Sequence, residues 1–143
     1  MILKTLLLLM LAVNTDHRDE LAFVQKMQTP SGGFISNLPD GETAVEAPTL
    51  RTTRTAIRAH RLLGGQLVNR EAVVRFLYGC YDSASGGFSA QPGLPPDPIS
   101  TSVGLMICKE LKLPTEDLLA NALRFMNDHT KNFEQVRMVA PAL

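Results

Sequence analysis

Apolar positions recur at helical spacing in three separate stretches of the chain. Leu21, Val24 and Met27 form one, Val73, Phe76 and Leu77 a second, and Leu118, Ala122 and Phe125 a third. They predict amphipathic helices over residues 19–27, 70–78 and 116–126. Asn69-Arg70-Glu71 and Thr115-Glu116-Asp117 read as N-terminal caps followed by acidic first turns. Residues 99–108 follow a different pattern. With Val103, Leu105, Met106 and Ile107 they are apolar almost all round, which predicts a helix covered on every side. Residues 1–13 are also apolar, with one lysine.

The same pattern repeats. Ser-Gly-Gly-Phe occurs at 31–34 and again at 85–88, and the six phenylalanines fall into the pairs Phe23/Phe34, Phe76/Phe88 and Phe125/Phe133. The third pair has Lys131-Asn132 where the glycines would stand, so the third copy reads as eroded or cut short. Thr53-x-x-Ala56 with Leu63 matches Thr101-x-x-Gly104 with Leu111 at a constant shift of 48. One unit is therefore about 50 residues long, running helix, glycine turn, loop, helix and short link. The units fall roughly at 1–34, 50–88 and 99–133, within a single domain 1–143. Extended backward, the register sets residues 1–13 opposite 56–64, with Leu11 matching Leu63 and Leu111. The apolar start then reads as a buried repeat helix, not as a secretion signal, since no small-x-small cleavage site follows it. That places the protein in the cytoplasm, with secretion through an atypical signal as the weaker alternative.

The stretch from Ser85 to Leu105 contains Gly-Gly-Phe, Pro92-Gly93, Asp97-Pro98, Thr101 and Gly104 in that order. It resembles the repeat of protein prenyltransferase β subunits, an architecture shared with squalene–hopene cyclases and other terpenoid cyclases. Leu50 to Ala56, running on to Leu62-Leu63-Gly64-Gly65, is similar to an inner helix of the preceding repeat. The resemblance implies an all-α fold, an α/α toroid of which this chain would supply about two and a half helix-pair repeats. It also implies a central cavity for an isoprenoid diphosphate and a zinc ion that activates an acceptor thiol. The positions matching the family's zinc ligands hold Leu50, Thr52 and Ser100, so no zinc is expected in this segment and no other cofactor is implied. Fewer than half of a six-pair ring is present, which implies self-association or the remainder of a larger toroid as partner.

Charge narrows the partners. Lys+Arg and Asp+Glu balance at 14 each, so no net field draws the chain to nucleic acid. No apolar run reaches the length of a membrane span. Two cysteines exclude a disulfide framework, and three histidines show no metal spacing. Cys80 and Cys108 read as small core residues.

The candidate chemistry lies on the two predicted inner helices. Arg51, Arg54, Arg58 and Arg61 are spaced 3, 4 and 3, which gathers them within about 80° of a helix. Such a stripe could grip a diphosphate bidentately, or be a solvated face with salt-bridge partners. His60 stands on the opposite, apolar side, in the slot of Cys108. Asp97, which keeps its position in the string that resembles the family, is with His60 a candidate ligand-binding residue, and otherwise reads as a helix cap. Ile99, Val103 and Met106 would line the apolar part of a cavity whose anionic end lies on Arg51, Arg54 and Arg58. Three functional readings follow. One is a prenyltransferase-like protein handling an isoprenoid or other lipid-like ligand, a transferase if active. The second is a non-catalytic repeat module for protein partners. The weakest is a cyclase-like enzyme, since no Asp-x-Asp-Asp acid and few aromatics are present.

Overall fold

The glycine turns organise the molecule, because each turn ties three elements together. The computed structural model describes residues 16–39 and 46–140. These form six helices: α1 (Arg18–Lys26), α2 (Leu50–Leu62), α3 (Arg70–Gly79), α4 (Pro98–Glu110), α5 (Glu116–His129) and α6 (Phe133–Val139). The expectation of a buried helix over 1–13 lies outside the described residues.

At the turn after α1, the Phe34 amide donates to Thr53 Oγ1 of α2 at 3.0 Å. At the turn after α3, the Phe88 amide donates to Thr101 Oγ1 of α4 at 2.9 Å. Both phenylalanines are completely buried, so each amide needs an internal partner, and a threonine one turn into the next helix supplies it. This is the physical reason for the repeated Thr at a shift of 48. The helix starts repeat as well. Thr49 caps α2 by accepting from the Thr52 amide, and Asp97 caps α4 by accepting from the Ser100 amide at 2.8 Å.

Each turn then seats on the next unit. A Cβ added at Gly33 would lie 2.7 Å from the Phe76 ring of α3, and one at Gly87 would lie 2.8 Å from the Phe125 ring of α5. Only a glycine admits such an approach. The pairs Gly33/Phe76 and Gly87/Phe125 are therefore contacts between consecutive repeats. This explains why a phenylalanine on the outer helix recurs with the glycine turn.

In the helix layer, α2 packs on α4 and α4 packs on α6, while α1 backs α2 and α5 backs α4. The core runs through this layer from Phe34 and Leu50 to Ala122 and Met126. α4 buries eight of its residues, among them Thr101, Gly104, Ile107 and Cys108, as its all-round apolar pattern predicts.

Two expectations are corrected. Phe133 does not occupy a glycine-turn position like Phe34 and Phe88: it opens α6 and is 80% exposed. With Lys131-Asn132 in place of two glycines the chain cannot make the close turn, and Asn132 instead caps a new helix through the Gln135 amide. Phe23 lies on α1 as expected, and is 52% exposed. Thr115 precedes α5 but makes no side-chain cap bond, and α5 runs on to His129, three residues past the predicted end.

Candidate functional site

The arginine stripe on α2 is divided by its surroundings. Arg54 pairs with Glu110 at the end of α4, its Nε and an Nη both reaching Oε1 at 3.1 and 3.0 Å. This half-buried bridge joins the two neighbouring helices. Arg58 is exposed and makes no ion pair among the described residues. Arg61 lines a cavity of mixed polar and apolar residues at the C-terminal ends of α2 and α4. Arg51 alone lines an apolar cavity between α1 and α2.

That apolar cavity has a volume of about 320 Å³. Val24 and Met27 of α1 form one wall, Ile35 the floor beside the first glycine turn, and Thr55, Ala56 and Ala59 of α2 the other wall. Arg51 is its one ionisable lining residue among the described residues. The sequence reading missed Thr55 and Ala59. The signal was present, since positions 51, 55 and 59 are four apart and so share one helix face, and the last two are small. Small residues there leave the room that Val24 and Met27 alone do not fill.

The remaining candidates lie elsewhere. Ile99, Val103 and Met106 stand half-buried on α4, away from the residues that line the cavity at Arg51. Asp97 is engaged as the cap of α4. His60 is 3% exposed, its ring meets the edge of Phe34, and neither ring nitrogen has a hydrogen-bond partner among the described residues. Burial lowers its pKa, so near neutral pH the imidazole is uncharged. Burial pushes the Cys80 thiol up to about 12 and the Cys108 thiol up to about 11, so neither is a ready thiolate nucleophile.

The positions that match the family's zinc ligands have local duties. Leu50 is buried in the core and carries no donor atom. Thr52 Oγ1 donates to the Phe34 carbonyl and completes the reciprocal cap with Thr49. Ser100 Oγ donates to Asp97 Oδ2 at 2.6 Å. An alkyl chain and two hydroxyls held in helix caps do not fit zinc, which takes thiolate, imidazole or carboxylate donors. Among the described residues, no three His, Cys, Asp or Glu side chains gather as a metal would require. No helix among them is long and apolar enough to cross a membrane.

The repeat geometry agrees with what a comparison of sequences gives. The family model of the prenyltransferase alpha-alpha toroid domain matches residues 1–64 and again 56–136. The chain belongs to the prenyltransferase alpha-alpha toroid family. Its two matches each span a glycine turn and the helix that follows, Gly32–Phe34 with α2 and Gly86–Phe88 with α4. The toroid family's alternation of inner and outer helices accounts for the row α2, α4, α6 with α1 and α5 behind it. No curated protein matches the chain.

Proposed function

We propose that this prenyltransferase-like chain binds a single apolar chain with an anionic head, such as an isoprenoid diphosphate, in the cavity between α1 and α2. The observation that supports this is the pairing of an apolar cavity of about 320 Å³ with Arg51 as its one charged lining residue among those described. The volume is near the lower end of small-molecule sites, which run about 300–1,000 Å³. Each methylene withdrawn from water there contributes about 0.8 kcal/mol. A guanidinium offers two parallel N–H donors to a phosphate, which fixes the orientation of the head. Capture and positioning are the roles that these residues suit. Zinc-dependent transfer is not proposed for this segment, because Leu50, Thr52 and Ser100 offer no suitable donor set.

Calorimetric titration of the full chain with farnesyl diphosphate tests this reading. Arg51→Ala is expected to weaken binding by about tenfold or more, the effect of losing a hydrogen bond to a charged group. Ala59→Phe fills the cavity and is expected to abolish binding. A chain that does not bind farnesyl diphosphate, or that binds it equally well with Ala59→Phe in a folded protein, overturns the proposal. A second reading, a non-catalytic module for a protein partner or a second copy, is favoured by Phe133 and Val136, both exposed on α6. Indifference to farnesyl diphosphate would favour it.

A further inference from the structure

A second cavity, of about 450 Å³, lies at the C-terminal ends of α2 and α4. It is formed where α2 ends near Gly64 and α4 ends near Lys112. Both residues take up left-handed backbone, φ 73° and φ 53°, at matching positions of the two repeats. His60 and Glu110 line it. Among the described residues, His60 is almost wholly buried with both ring nitrogens unpartnered, and Glu110 has one buried carboxylate oxygen, Oε2, likewise unpartnered while Oε1 holds Arg54. Buried polar atoms without partners are rare and call for a ligand or ordered water. Arg61, Arg70 and Lys112 line the same cavity, each exposed to solvent. One Nη of Arg70 donates to the Leu111 carbonyl at 2.7 Å, which leaves its other donors available.

This combination selects among ligands. A bare anion is drawn by the three cations but meets the Glu110 carboxylate and two helix C-termini, which repel it. A simple cation meets the converse. A group that is an anion and also carries its own O–H satisfies both sets. Its unprotonated oxygens face the cations, and its hydroxyl donates to Glu110 Oε2 or to the acceptor nitrogen of neutral His60.

We propose that this cavity is a site for a protonated oxyanion, the monophosphate group being the simplest, and that it discriminates against sulfate. The proposal is independent of the apolar cavity at Arg51, which shares none of its lining residues. Sulfate has the same shape and charge class but no proton near neutral pH, so the donor to Glu110 is lost.

The test is titration of the full chain with inorganic phosphate, glycerol 3-phosphate and sulfate, at matched ionic strength and about pH 5.5, where a phosphate monoester, with its second pKa near 6, still carries a proton. Phosphate is expected to bind about tenfold or more tightly than sulfate, the effect of one hydrogen bond to a charged group. Binding of glycerol 3-phosphate as well would mark a phosphate ester as the ligand, and binding of phosphate alone would mark the free ion. Both support the site. Arg61→Ala and Lys112→Ala, at exposed positions where folding is retained, are expected to weaken phosphate binding. Glu110→Gln can donate as well as accept, and is expected to bring sulfate up to phosphate. Equal responses to phosphate and sulfate, no response to either, or a preference unchanged in Glu110→Gln would each overturn the proposal.

Discussion

Gly32→Ala is expected to destabilise the fold by about 3–5 kcal/mol, at the upper end of single-site effects. Two causes act together. Gly32 has φ 97°, outside the conformations open to alanine without strain. An added Cβ would also stand 2.0 Å from the Ala72 carbonyl oxygen, which is backbone of α3 and cannot rotate away. The helix would have to move, and with it the buried Val73, Phe76 and Leu77. Gly64→Ala is the control. Gly64 also has positive φ, 73°, but nothing lies within 4 Å of its added Cβ. It should lose only the left-handed strain, about 1–2 kcal/mol. Urea unfolding of the two variants separates the terms. Similar losses in both would mean that α3 does not press on the turn.

Phe88→Ala is expected to cost about 3–5 kcal/mol, the range for deleting a buried aromatic ring. The ring is wholly buried, lies against Tyr81 with centroids 4.9 Å apart, and approaches Gly104 so closely that a Cβ there would stand 2.6 Å from it. The first repeat has Ala56 at the matching position, and there the Phe34 ring meets His60 edge-on instead. Thermal unfolding of Phe88→Ala measures the loss. A change of less than about 1 kcal/mol, typical of exposed sites, would contradict the burial of this turn.

Much of this fold was legible because its constraints are local and repeated. Gly32 and Gly86, Phe34 and Phe88, and Thr53 and Thr101 recur since each turn must present a close-packed glycine, a buried ring and a hydroxyl for one buried amide. The cap at Asp97 was legible for the same reason. The exposure of Phe23 and Phe133 was not legible: both fit the periodic pattern, yet periodicity does not say what covers a side chain. The site was half legible. The stripe of Arg51, Arg54 and Arg58 could be read from spacing. That Arg54 would be taken by Glu110, 56 residues away, depends on how α2 meets α4, and no local pattern encodes it. The unpartnered His60 and Glu110 Oε2 are likewise products of tertiary placement.

The most direct test of the proposed cavity is amide hydrogen exchange of the full chain with and without farnesyl diphosphate. Slowed exchange is predicted over residues 24–36 and 51–59, the walls and floor around Val24, Ile35, Arg51 and Ala59. Slowed exchange confined to α4 around Ile99, Val103 and Met106, or no change anywhere, would contradict the placement of the ligand between α1 and α2.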